Sequence, residues 1–274
     1  MPVNTTVPVS TTADCLIIVP AYNEARSLPK VLFDLRRTLP EADVVVVDDG
    51  STDGTADLVP PAVTLLRLPY NLGIGAAMQT GYRYAARMGY RTAVQFDGDG
   101  QHRAEEVERL IEALESTGAD LVIGSRFLGH ASYRQTPARG IGAGLLRAVI
   151  RWVCGAEITD CTSGFRAASA RVIRAFAHWY PDDYPEPEVV AALVRSDCTV
   201  TEVPARMNQR QEGRSSITLA SGLLYVLKVS VALFLDLFRD PWAGFFDRDG
   251  GSTGLERHEG TGSVEPASAP EPAP

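Results

Sequence analysis

VQFDGDGQH, residues 94 to 102, starts as an apolar strand and ends in two aspartates one residue apart, Asp97 and Asp99, with Gln101 two positions on. Like charges confined to one tight turn repel, so solvent or a cation must share their volume. Mg2+ or Mn2+ fits, because such ions take oxygen ligands and are commonly held by one or two carboxylates together with substrate phosphates. Gln101 offers a further amide oxygen. The alternative is a solvated turn, since Asp-Gly and Gly-Asp are ordinary turn formers.

On either side of this stretch, short Val- and Ile-rich runs alternate with helical patterns. DCLIIVP, DVVVVD, TLLRL, TAVQFD and DLVIG read as strands. SLPKVLFDLRRTL, GIGAAMQTGYRYAARM and residues 103–117 read as helices, with a short helix after DGSTDGT. The alternation predicts an α/β domain with a mostly parallel central sheet covered on both faces. Ligands of such sheets sit beyond the carboxyl ends of the strands. The loops PAYNE, DDGSTDG, DGDGQH and GSRF all fall there. After residue 137 the pattern loosens into a helix, a TDCTSGFRA turn, a further helical pair and a TVTEVP strand.

With 274 residues and 45% hydrophobic composition, the chain is long enough for one large core. Its net charge of −8 and pI near 5.1 argue against a nucleic-acid partner, which needs clustered Lys and Arg. Cys15, Cys154, Cys161 and Cys198 form no CxxC pair and read as buried thiols in a reducing compartment. The first residues lack the basic start and apolar stretch of a secretory signal, which predicts a cytoplasmic protein. Residues 1–13 and 247–274 hold few apolar side chains and are expected to be disordered tails around a catalytic domain at 14–216 and a helical segment at 217–246.

Two further loops carry polar groups suited to a ligand. In DDGSTDG, Asp48 or Asp49 offers acceptors for a base or ribose, while Ser51, Thr52 and Asp53 offer helix caps. In NLGIGAAMQTG the third glycine of a dinucleotide fingerprint would fall at Met78, so close helix packing is the preferred use of these glycines.

Taken in order, IIVPAYNEARSL, VVVDDGSTDGTA, NLGIGAAMQTGY, FDGDGQH, VIGSRF, DCTSGFRA and EVPARMNQRQEGRSS resemble the signatures of family 2 glycosyltransferases, most closely the polyprenyl-phosphate and dolichyl-phosphate sugar transferases. The resemblance covers about residues 14–216. It implies a GT-A fold, a nucleotide diphosphate sugar donor, a metal site at Asp97, Asp99 and Gln101, and a base and ribose pocket at Pro20, Tyr22, Glu24 and Asp49. It further implies that Arg126 and a downstream arginine hold a lipid phosphate, and that the stretch from Arg210 to Ser215 closes over the donor diphosphate. That stretch usually ends in Ser-Lys, where this chain has Ser215 and Ser216, so Arg214 would have to substitute.

The acceptor divides the possible chemistries. A hydroxyl needs a general base, for which Glu186 and Glu188 of YPEPEVV are candidates. A phosphate is already ionised and needs cations instead. Arg126, Arg134 and Arg139, with Arg206, Arg210 and Arg214, concentrate guanidinium groups suited to phosphate oxygens. Residues 217–238 form a long apolar run in which Thr218, Ser221, Gly222, Lys228 and Asp236 share one face at about 100° per residue. That run predicts an amphipathic helix lying in a membrane interface, with PWAGFF as aromatic anchors; packing on the domain or on a second copy is the alternative. The expected protein is an inverting, metal-dependent hexosyltransferase acting on a polyprenyl phosphate at the inner membrane face, as a peripheral protein with a possible homo-oligomer or small membrane partner. Rival readings are transfer to a hydroxyl, a nucleotidyltransferase, and a nucleotide-sugar-binding protein without catalysis.

Overall fold

Runs of β-branched residues become strands buried on both faces. In the computed structural model, which describes residues 12–129, 144, 147–152, 155, 157–182 and 185–208 with positions 228, 229, 231, 234, 242, 245 and 246, every residue of β1 (Cys15–Ala21) is buried. The other strands are β2 (Asp43–Asp48), β3 (Thr64–Arg67), β4 (Thr92–Gln95), β5 (Leu121–Ser125), β6 (Arg166–Ser169) and β7 (Val200–Pro204). They form one sheet in the order β3-β2-β1-β4-β6-β5-β7. All neighbouring pairs are parallel except those of β6, which runs antiparallel to β4 and β5. The expectation of a mostly parallel α/β sheet holds. The exception, β6, begins within what reads in the sequence as the TDCTSGFRA turn.

Helices cover both faces. In α1 (Leu28–Thr38) the buried residues Leu28, Val31, Leu32 and Leu35 recur at helical spacing, as do Val107, Leu110, Ile111 and Leu114 in α3 (Val107–Thr117). Both helices share one core with Ile17, Val19, Val46, Val94 and Phe96. The opposite face carries α2 (Ile74–Met88) and α4 (Ala170–His178), which pack on each other, and α5 (Pro185–Arg195) follows. Glycines let α2 approach its neighbours: a Cβ at Gly81 would lie 2.3 Å from Ile18 Cγ2, and one at Gly75 would lie 2.1 Å from the Pro181 carbonyl oxygen. Gly75 and Gly81 of NLGIGAAMQTG therefore serve packing, whereas Gly73, at φ +96° with nothing within 4 Å of a Cβ, serves the turn that leads into α2.

Burial pushes the thiols of Cys15, Cys161 and Cys198 up to about 12, which leaves them protonated and inert. No helix among the described residues is long and apolar enough to cross a membrane.

The chain divides into two compact units, Met1–Ala243 and Gly244–Pro274, and the sheet belongs to the first. Most of residues 217–238 lie outside the described residues, so the amphipathic helix is not established, although Lys228, Val229, Val231 and Phe234 are helical. Trp242 departs from the expected role of interfacial anchor. It is buried, its Nε1–H donates to the Ala175 carbonyl at 3.1 Å, and its ring sits 5.9 Å from Phe176 and 5.5 Å from Trp179. An aromatic ring with a satisfied N–H inside a core belongs to the fold. Trp242→Ala is expected to cost about 3 kcal/mol in urea denaturation; unchanged stability would return Trp242 to the surface.

Candidate active site at the carboxyl ends of the strands

The chain leaves β4 directly into the acidic turn. Gly98 brings that turn against β1, where a Cβ would sit 3.1 Å from the Pro20 carbonyl oxygen, and Gly100 takes φ +76°. The Asp97 carboxylate lies over Gly164 of the TSGF loop: a Cβ there would come within 3.1 Å of both Asp97 oxygens and 2.9 Å of Gln95 Nε2. The antiparallel pairing of β6 with β4 puts Gly164 in that position. The missing side chain thus lets the Asp97 carboxylate and the Gln95 amide pack directly against the TSGF loop. The Asp97 side chain retains 35% of its exposure, with His102 Nε2 at 3.4 Å from Oδ2, while His102 Nδ1 accepts the Asp97 backbone N–H at 3.0 Å.

Asp99 accepts the Gln101 backbone N–H at 3.0 Å and, through its other oxygen, the Gln101 side-chain amide. Gln101 was expected to offer an amide oxygen to a metal; here its amide nitrogen faces Asp99 and braces it. The turn is clamped from outside by Asn208, whose backbone N–H donates to the Gln101 carbonyl at 2.8 Å and whose Nδ2 donates to the Gly100 carbonyl at 3.3 Å. No three His, Cys, Asp or Glu side chains converge on one point among the described residues. Two carboxylates with open positions still suit an ion that keeps waters and substrate phosphates as its other ligands.

The neighbouring loops knit together. Asn23, in a left-handed conformation, accepts the Thr52 N–H at 2.9 Å and donates its own N–H to Ser51 Oγ at 2.9 Å. Asp53 takes the Ala25 and Thr55 N–H groups at 3.1 and 3.0 Å, and its bond from the Thr55 hydroxyl holds its carboxyl below the usual range. Glu24 receives the Ser27 hydroxyl. Asp48 is fully buried and accepts Ser51 N–H and Arg67 Nε. Asp49 differs from the expected base or ribose acceptor: its two oxygens accept the Leu72 and Gly73 N–H groups at 2.8 and 2.9 Å, so it shapes the NLG turn. Pro20 is buried in β1, and Tyr22 beside it is 45% exposed. A cleft of about 620 Å³ opens between this loop, α1 and the acidic turn, lined by Asn23, Glu24, Lys30, Asp99 and Arg103 among others. Pro20, Tyr22, Asp49 and Asp97 lie outside that lining.

Arg126 follows β5, and its guanidinium forks onto buried Asp160 with Nε–Oδ2 at 2.7 Å and Nη2–Oδ1 at 2.6 Å. Arg126 and Arg147 each place a guanidinium carbon 5.6 Å from the centre of the Phe127 ring. Arg147 drew no attention in the sequence, where it is one arginine in an apolar helix. Arg134, Arg139, Arg210, Arg214 and Ser215 lie outside the described residues.

Glu186 and Glu188 both fall in the first turn of α5, each partly buried. Burial raises the Glu186 carboxyl above its ordinary value, opposed by the positive charge of Arg166; Asp97 raises it further and Arg126 opposes. These three charges place Glu186 within reach of the acidic turn's field. Arg166 itself is buried, donating to the carbonyls of Ser163, Cys161 and Glu186 at 2.6, 2.9 and 2.9 Å. A raised folded-state pKa costs nothing below the unfolded value near 4.5 and costs stability as pH rises through the folded value. Glu186→Gln is therefore expected to remove part of the loss of stability that wild type shows as pH rises above the ordinary carboxylate range, measured by urea titration. An unchanged slope would place the Glu186 carboxyl in solvent.

Comparison with known proteins places this geometry. The profile described as Glycosyl transferase family 2 matches residues 16–176. Polyprenol monophosphomannose synthase of Mycolicibacterium smegmatis is 31% identical over 214 residues, covering 74% of this chain and 80% of that protein. Undecaprenyl-phosphate mannosyltransferase of Micrococcus luteus is 38% identical over 174 residues, covering 58% and 68%. Among solved structures, glucosyl-3-phosphoglycerate synthase of Mycobacterium tuberculosis, in complex with Mn2+, UDP-glucose and phosphoglyceric acid, superposes with TM-score 0.64 at 19% identity over 86% of this chain and 85% of that one. That likeness establishes the fold as GT-A. With the profile covering more than half its length, the chain belongs to glycosyl transferase family 2 and is a glycosyltransferase.

Proposed function

We propose that the protein moves a hexose, with inversion, from a nucleotide diphosphate sugar to a polyprenyl phosphate at the cytoplasmic face of a membrane. The observation that carries the donor half is the pair Asp97 and Asp99 on one tight turn at the carboxyl end of β4, with the Asp97 carboxylate packed directly over Gly164 and still partly exposed. Those two carboxylates would hold a Mg2+ or Mn2+ ion, which supplies Lewis-acid stabilisation of the departing diphosphate. Gln101 and Asn208 keep Asp99 and its turn in place, so little reorganisation is needed when the donor arrives. Exposed Tyr22, next to Pro20, offers a flat surface for the base. The role of Arg210, Arg214 and Ser215 in covering the diphosphate is part of the same reading.

The lipid acceptor is supported by the two bacterial relatives, both named for transfer to a polyprenyl phosphate, and by the cations at Arg126 and Arg147. A phosphate oxygen attacks without surrendering a proton, so the acceptor site needs orientation and charge rather than a base. Arg126, with Arg134 and Arg139 in the following loop, would supply both. The raised carboxyl of Glu186 favours one second reading, in which an acceptor hydroxyl loses its proton to a carboxylate at the start of α5, Glu186 or Glu188.

Incubation of the protein with nucleotide sugars, undecaprenyl phosphate and Mn2+ is expected to yield lipid-linked hexose by mass spectrometry, and chelation to stop it. Asp99→Ala is expected to lower turnover by at least about 1000-fold. A hexosylated hydroxyl product with undecaprenyl phosphate unused, and loss of rate in Glu188→Gln or Glu186→Gln, would establish the second reading instead. Wild-type rates in Asp99→Ala would remove the role given to the acidic turn.

A further inference from the structure

The bonds that hold Arg126 continue well behind the site. Its Nε and Nη2 reach both oxygens of Asp160, its backbone N–H adds a bond to Asp160 Oδ2 at 2.9 Å, and Nη2 also donates to Thr162 Oγ1 at 2.8 Å. Asp160 stands on a loop that has no regular structure of its own. That loop is gripped by Glu202 of β7: Oε1 accepts the Asp160 N–H at 2.7 Å and the Thr159 hydroxyl at 3.1 Å, and Oε2 accepts the Thr159 N–H at 2.7 Å. The Thr159 hydroxyl also lies 2.7 Å from Ser125 Oγ, one residue before Arg126. The parallel register of β5 with β7 sets Glu202 opposite Ile123, three residues before Arg126. One carboxylate on the strand thus fixes a second carboxylate, and the second fixes the guanidinium.

We propose that Glu202, which itself meets no substrate, is a positioning residue for an anion seat at Arg126, acting through Thr159 and Asp160. A long, flexible cation is useful to a phosphate monoester only if its planar fork is already oriented. Two charge-assisted bonds to Asp160 supply that orientation, and they hold only while the Thr159–Asp160 turn keeps its place. Loss of the Glu202 charge frees the turn, lets Arg126 rotate with Asp160, and weakens the seat without altering the donor side at Asp97 and Asp99. The inference rests on the assignment of Arg126 to the acceptor phosphate.

The test uses the full chain with farnesyl phosphate as the probe. Binding is measured by calorimetry, and steady-state kinetics are measured for both substrates. Glu202→Gln is expected to raise the acceptor Kd and KM by about tenfold, with the donor KM and Mn2+-dependent UDP binding unchanged. Thr159→Val, which removes only the hydroxyl bonds, is expected to shift the same two constants in the same direction by a smaller factor, and serves if Glu202→Gln folds poorly. Equal acceptor constants in wild type and both variants would overturn the positioning role. So would a fall in kcat accompanied by equal losses for donor and acceptor. Failure of the wild type to bind farnesyl phosphate would instead overturn the acceptor assignment itself, and is distinguished by being seen before any substitution.

Discussion

Repulsion between Asp97 and Asp99 is the constraint around which the site is built. Two carboxylates one residue apart at the end of a buried strand need a backbone that holds them and solvent or a cation to share their space. The backbone part is visible: Gly98 lies against the Pro20 carbonyl, the Asp97 carboxylate packs directly on Gly164, and Asn208, in the segment after β7, pins the turn. Each of those contacts comes from a different strand end. The sheet order is what makes them neighbours, and the antiparallel insertion of β6 between β4 and β5 brings the TSGF loop over the acidic turn.

Positive charge surrounds this turn at a distance and is mostly spoken for. Arg166 gives its donors to main-chain carbonyls, and Arg126 forks onto Asp160. A buried cation held by carbonyl dipoles keeps its charge, so Arg166 opposes the rise of the Glu186 carboxyl without forming a salt bridge to it. The acidic turn keeps its own capacity for a cation, and the nearby arginines are oriented rather than neutral spectators. On the proposed function, donor and acceptor chemistry would thereby fall on separate sets of residues.

Much of the fold could be read in advance because its elements are locally marked. DVVVVD becomes β2 residue for residue, and the i, i+3, i+4, i+7 pattern of α1 and α3 predicts their buried faces. β6 escaped because Arg166–Ser169 is four residues long, opens on a charged side chain and has no alternation. Its burial and direction are decided by its neighbours. At the site, residue types were legible and partners were not. Nothing local shows that Asp49 takes the amides of Leu72 and Gly73, that Gln101 turns its nitrogen toward Asp99, or that Glu202 reaches back to Thr159. Trp242 was misread for the same reason: an aromatic cluster after an apolar run has the composition of an interface anchor, and only the tertiary contact with Ala175 distinguishes it.

The central claim is that one dication sits between Asp97 and Asp99 and grips the nucleotide. Crystals grown with Mn2+ and a nucleoside diphosphate, with diffraction recorded at the manganese absorption edge, address it directly. The account requires an anomalous peak within coordination distance, about 2.2 Å, of oxygens from both aspartates and from the diphosphate. A nucleotide bound with no such peak, or a peak coordinated elsewhere, would contradict it.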